Sequence, residues 1–374
     1  MNSQSRHSKR MVLCHDVRYL VVVVIVLAFL LLTNWTINNV YLHVAPPQGE
    51  RHARQQRPPV VIIWNTFFGR AVNPFFTSEV AYMCPRRCVF TRSRSRVNGS
   101  AAIVFHARDV NASDIPRRKY EGQIWVLFGL EPPPYTMAPL VALNGLINWT
   151  VTYRSDSDIV FPYGYELVKY RRDRNDSRQK LVSGTGKSRM VAWFVSRCDA
   201  VSGRMAYVNK LREVVDVDIY GKCGQYSCSP SQSRECYELL SERYYFYLSF
   251  ENSLCRDYVT EKYYNMFAYD VVPVVMGNAN YTAFSPPGSF IDALSFDSPR
   301  DLGTYLLKTV NLWKNYSSYF EWRREYRVLS RNHRVACDLC VKIYTDIHVP
   351  KVYDDVNKWW YHDAGCWSWK PHLS

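Results

Sequence analysis

The stretch from Tyr244 to Gly277 reads YYFYLSFENSLCRDYVTEKYYNMFAYDVVPVVMG. It opens on an apolar, aromatic run and breaks into the polar turn Glu251-Asn-Ser253. It restarts at Thr260-Glu-Lys262 and closes on a second apolar run, Val271 to Met276. Two buried strands joined through a turn and a helix produce this pattern, because parallel neighbours need a crossover connection. Free amides at such a helix start, with the Lys262 ammonium beside them, suit a pyrophosphate, and Glu261 can accept hydrogen bonds from sugar hydroxyls. An exposed Glu–Lys pair on a first helical turn would look the same and do nothing more than face solvent.

The alternation continues on both sides of this segment. Val60 to Trp64, Ala101 to His106, Gln123 to Gly129 and Val151 to Tyr153 are short apolar runs that end in polar or glycine-bearing loops. Met190 to Ser196 and Val214 to Tyr220 add two more before the central segment. Met205, Val208, Leu211 and Val215 recur at helical spacing after Gly203, and Ser298-Pro-Arg-Asp301 has the cap, proline and acid of a helix start. The charged, glycine-bearing stretch Lys169 to Arg189 separates two sets of strands, so the expected fold class is α/β with two domains and a cleft between them.

Tyr19 to Leu42 carries no charged residue, and Arg6, Lys9, Arg10 and Arg18 precede it against the single acid Asp16. That is the length and flank of a single transmembrane signal-anchor helix with the short tail in the cytosol and the body in the lumen. Ala45 to Pro59 then reads as a polar, proline-bearing stem. Beyond Cys14 the ten remaining cysteines form an even set, as an oxidising lumen would have it. Cys84, Cys88, Cys337 and Cys340 could be disulfides or four zinc thiolates, and the compartment favours disulfides. Six sequons follow the span, at Asn98, Asn111, Asn148, Asn175, Asn280 and Asn315. The formal charge of +14 is spread over the chain with no nucleic-acid module around it, so nucleic acid is not an expected partner.

Phe246-Tyr-Leu, Phe250-Glu-Asn-Ser253, Asp257-Tyr258, Thr260-Glu-Lys262 and Val272-Pro-Val-Val-Met-Gly277 resemble the donor-binding motif of the α1,3-fucosyltransferases, glycosyltransferase family 10. Trp193-Phe-Val-Ser-Arg-Cys, Ser202-Gly-Arg204 and Val217-Asp-Ile-Tyr-Gly resemble the family's entry to its nucleotide domain, with Arg197 standing where the family usually has asparagine. Gly129-Leu-Glu131-Pro-Pro is similar to its Glu-Ser-Pro segment, with Pro132 in place of serine, and Asn148 to Gly164 is similar to its acceptor-domain signature.

The resemblance implies a GT-B type architecture of two facing Rossmann-like domains. Its expected layout is a cytoplasmic tail over 1–18, an anchor over 19–42 and a stem over 43–59, then an acceptor-binding domain over 60–180, a GDP-fucose-binding domain over 181–345 and an extension over 346–374. It implies inverting transfer of fucose from GDP-fucose to O3 of GlcNAc in glycoprotein N-glycans, core or antennal, in the Golgi membrane. Glu131 is the expected general base, because an attacking hydroxyl must lose its proton while charge grows on the departing pyrophosphate. Arg204, Lys262, Glu261, Tyr258 and Asn252 are the expected donor-binding residues. No obligatory cofactor or metal is implied, with a divalent cation at most a stimulant. Gly184-Thr-Gly-Lys-Ser lacks the first glycine of a P-loop, and Asp156-Ser-Asp and Asp216-Val-Asp are spacings too common to mark a metal site. Two other functions fit the same fold: a catalytically silent Golgi glycan-binding protein, and a transferase using another sugar nucleotide.

Overall fold

The computed structural model of the chain describes residues 57–77, 84–117, 119–136, 139–164, 166–169, 186–230, 233–329 and 334–371. The tail, the anchor over 19–42, most of the stem and Asn175 lie outside the described residues. Among the described residues no helix is long and apolar enough to cross a membrane.

The first sheet comprises β1 (Val60–Ile63), β2 (Val89–Thr91), β3 (Ala102–His106), β4 (Ile124–Gly129), β5 (Trp149–Thr152) and β6 (Ile159–Val160) in the order β2-β1-β3-β4-β5-β6. Every pairing is parallel. After β7 (Glu166–Lys169) come β8 (Arg189–Phe194), α1 (Arg204–Leu211), β9 (Val217–Tyr220), α2 (Arg234–Arg243), β10 (Tyr244–Phe250), α3 (Glu261–Tyr264), β11 (Val272–Met276) and β12 (Ile291–Asp292). The second sheet is also parallel, in the order β12-β11-β10-β8-β9. In each sheet the second strand lies on one side of the first and the third on the other, so the order reverses between β1 and β3 and between β8 and β10. Open parallel sheets take ligands at such a switch point, outside the carboxyl ends of the strands.

Burial on both faces explains the unbroken apolar runs of the sequence. All six residues of β4 and all five of β11 are buried. The helix start read at Ser298 is present: Ser298 Oγ accepts from Asp301 N (3.2 Å) and Pro299 opens α4 (Pro299–Asn311). The helix read from Thr260 runs through α3 and continues as a tighter 3₁₀ turn over Asn265–Ala268.

The chain then crosses back. After α5 (Trp313–Ser318), β13 (Tyr326–Leu329) pairs antiparallel with β7. α6 (Val335–Asp346) puts Val335, Leu339 and Ile343 into the same core as Val61, Val104 and Val126 of the first sheet. Val356 and Trp360 cover that sheet's other face, against Ile62, Ile103 and Leu127. The helix inside the stretch 181–345 thus belongs by packing to the first sheet.

Two disulfides fix this return, Cys84–Cys337 and Cys88–Cys340, so the four cysteines bond to one another in pairs. Closing a loop of 253 residues is worth about 5 kcal/mol on the chain-entropy account, and the second bridge, closing nearly the same loop, adds less. Cys198–Cys223, Cys228–Cys236 and Cys255–Cys366 pair the remaining six.

Candidate active site

A cavity of about 260 Å³ opens at the switch point of the second sheet. Its wall includes Ser196 and Arg197 beyond β8, Tyr220 and Gly221 at the end of β9, Asn252 beyond β10, and Arg204, Glu261 and Lys262. Arg204 owes its place to Gly203, whose φ is +76° and whose missing Cβ would stand 2.1 Å from the carbonyl oxygen of Trp369. Only glycine meets both demands, so α1 begins there and its first residue turns inward. Arg204 is 3% exposed. Its Nη1 donates to Phe250 O (2.8 Å) and Nη2 to Arg197 O (3.1 Å), while buried Nε has no partner among the described residues. Burial pulls the guanidinium below its ordinary pKa, partly countered by Glu251. A desolvated cation bonded only to carbonyls favours an incoming anion.

Lys262 reaches the same cavity held by three neighbours. Its Nζ donates to Thr260 Oγ1 at 2.7 Å and lies 3.2 Å from Glu251 and 3.4 Å from Glu261. Desolvation works against the ammonium, but the two carboxylates outweigh it and raise its pKa. Glu251, fully buried, accepts from Thr260 N (2.8 Å) and from Thr260 Oγ1. This limits the expectation of free amides at the helix start: the Lys262 amide is capped by Thr260 Oγ1 and the Tyr263 amide bonds to Thr260 O, while the side chains of Arg204 and Lys262 line the cavity. The role of Glu251 was missed although its letter stood in the quoted motif. Asn252 lines the cavity with a buried Oδ1 that has no partner among the described residues.

Glu131 stands just beyond the carboxyl end of β4, half-buried, at the edge of the first half. Burial raises its pKa; Lys262 and Arg108 pull it back and Glu261 pushes it up again. The charges that act on it therefore include three from the wall of the opposite cavity, Lys262, Glu261 and Arg197. Tyr258 does not join them at the surface. It is 2% exposed, edge-on to Tyr153 at 5.0 Å and 6.0 Å from Tyr163, and is a buried support between the halves rather than part of the cavity wall.

The two halves are pinned around that tyrosine. Asp257, at φ 62°, accepts from Ser155 N (3.0 Å) and Ser155 Oγ (2.7 Å). Fully buried Arg154 grips Asp156 through two nitrogens, and Arg256 approaches the same carboxylate at 3.4 Å. Asp156 is thus an ion-pair partner, and so is Asp218, held by Arg189 and by Tyr244 Oη (2.6 Å). Lys187 of the glycine-bearing linker turns inward and donates to the carbonyls of Ser241 and Tyr244, both at 2.7 Å, and to that of Asp270.

Among the sequons, Asn98, Asn111, Asn280 and Asn315 are exposed. Asn148 is engaged: its Oδ1 accepts from Trp125 N (2.8 Å) and from Lys119, and its Nδ2 donates to Lys351 O (2.7 Å).

Residues 56–164 match the model described as "Fucosyltransferase, N-terminal", and residues 184–359 the C-terminal model of glycosyltransferase family 10 (fucosyltransferase). Alpha-(1,3)-fucosyltransferase C of Drosophila melanogaster is 34% identical over 347 residues, 85% of this chain and 80% of that protein. A 4-galactosyl-N-acetylglucosaminide 3-alpha-L-fucosyltransferase of Homo sapiens is 35% identical over 76% of this chain and 79% of its own. The crystal structure of an alpha1,3-fucosyltransferase with GDP-fucose shares the fold at 14% identity, with a TM-score of 0.52 over 81% of this chain and 94% of that one. The chain belongs to glycosyltransferase family 10, the fucosyltransferases.

Proposed function

We propose that this family member is an inverting α1,3-fucosyltransferase with GT-B architecture that moves fucose from GDP-fucose to O3 of GlcNAc in glycoprotein N-glycans, core or antennal. The observation that carries the reading is the convergence of two cations, buried Arg204 and largely buried Lys262, on one cavity that Asn252 and Glu261 also line. Arg204 and Lys262 hold the diphosphate and stabilise the charge that grows on it as the glycosidic bond breaks. Asn252 and Glu261, on the same wall, offer an amide and a carboxylate to the hydroxyls of the donor. Glu131 takes the proton of the attacking acceptor hydroxyl, and its upward shift makes it a stronger base than an exposed carboxylate.

The names of the Drosophila and human relatives support the α1,3 linkage and a GlcNAc-bearing acceptor. The charge-free run over 19–42 and the five disulfides support a single-pass type II protein of the Golgi membrane with this site in the lumen.

The test incubates the body from Pro58 onward, a compact unit, with GDP-fucose and a panel of core and antennal N-glycans, scored by mass spectrometry. Gain of one deoxyhexose establishes the activity and names the acceptor. Folded protein that binds GDP and modifies no glycan is a silent binder, which sinks the proposal.

A further inference from the structure

Arg197 adds a charge to the cavity wall. Arg197 follows β8 and Ser196, and its carbonyl is fixed by the bond from Arg204 Nη2 at 3.1 Å. Its guanidinium folds over the ring of Tyr135, 4.5 Å from the centroid. Tyr135 belongs to the first half, on the 3₁₀ turn Pro133–Tyr135 beyond Glu131, where Tyr135 N donates to Pro132 O at 2.9 Å. Three consecutive prolines stiffen this turn, so the ring is a fixed platform. The Tyr135 hydroxyl is buried and has no hydrogen-bond partner among the described residues.

We propose that Arg197 is a third cation for the donor's diphosphate and that Tyr135, reaching across the cleft, is the positioning residue that holds it there. The inference rests on the GDP-fucose reading above. Lys262 already answers to Glu251 and Glu261, whereas Arg204 and Arg197, the other two cations of the wall, have no ion pair among the described residues, and the group they face bears at least two negative charges. An asparagine at 197 would supply hydrogen bonds but no charge. An arginine supplies the charge together with a planar face that stacks on tyrosine and a fork that matches phosphate oxygens. The stack also links the two halves: the residue that grips the donor rests on the turn that follows the base. A lysine at 197 keeps the charge and loses the planar stack.

The experiment uses the detergent-solubilised full chain and isothermal titration with GDP and GMP on the wild type, R197N, R197K, Y135F and Y135A. R197N is expected to weaken GDP about tenfold, the value of one charge-assisted contact, and to leave GMP within about threefold. R197K is expected to fall between, and Y135A to lose GDP affinity like R197N, with the double variant R197N/Y135A no worse than either. Y135F keeps the ring and serves if Y135A does not fold; it retains the GDP preference. Equal loss of GDP and GMP, or no loss, overturns the inference while the donor reading stands. A wild type that binds no GDP overturns the donor reading and this inference with it.

Discussion

Lys262 Nζ sits 3.2 Å from Oε2 of Glu251, a carboxylate with no exposed surface, and both are tied to Thr260. The pair is the anchor that points a cation into the cavity at the switch point. Removing one member leaves a buried charge unmatched, which costs about 3 kcal/mol in comparable pairs. E251Q should therefore lower the unfolding free energy in urea by about that amount. The double variant E251Q/K262M should recover most of the stability and none of the GDP affinity. E251Q as stable as the wild type would remove the pair from the account.

Arg204 makes a second prediction. R204K keeps a charge but cannot reach both Phe250 O and Arg197 O, so the cation loses its aim. Transfer is expected to fall about a hundredfold, as when one preorganised donor is removed. The unfolding free energy should fall by only about 1 kcal/mol, the value of one hydrogen bond. A loss of stability that matches the loss of activity would make Arg204 a structural residue.

His106 supplies a pH dependence independent of catalysis. It lies 2% exposed among Phe67, Phe68 and Phe128, and desolvation, partly countered by Asp109, pulls its pKa from 6.5 to about 4. The unfolded chain then binds the extra proton first. The stability from keeping this ring neutral is full above about pH 6.5 and is lost as pH falls toward 4, amounting to about 3 kcal/mol. H106F should remove that component from the pH profile of the unfolding free energy. An unchanged profile contradicts the assignment.

Asn148 should stay unglycosylated in the secreted or detergent-extracted protein, because Lys351 holds its Nδ2 and Trp125 and Lys119 hold its Oδ1. Peptide mapping after enzymatic deglycosylation in heavy-oxygen water should leave this asparagine unlabelled. Label at Asn148 would show that the sequon is modified before Lys351 arrives.

The second sheet was legible because its strands are apolar runs of the right length and its turns carry the polar letters, so β10, α3 and β11 fall where the quoted stretch puts them. Arg204, Lys262, Glu261 and Asn252 converge because the switch point brings the ends of β8 and β10 to one spot. The return of α6 to the first sheet was not legible, since its packing partners lie some 250 residues earlier and no local pattern encodes them. The burial of Tyr258 was hidden for the same reason: its neighbours Tyr153 and Tyr163 come from the other half. Glu251 was read as part of a turn because a polar letter after a strand does not say whether it faces water or a buried lysine.

The most direct test of the account is E131Q, assayed for fucose transfer from GDP-fucose and for GDP binding on the same preparation. The upward shift of Glu131 also moves the acid limb of wild-type kcat/KM up from where an exposed carboxylate would put it, and this limb should vanish with the base. The account predicts that E131Q binds GDP within about threefold of the wild type and transfers at least about a hundredfold more slowly, the contribution of one general base. Retained turnover with an unchanged acid limb would contradict it and remove Glu131 from the mechanism.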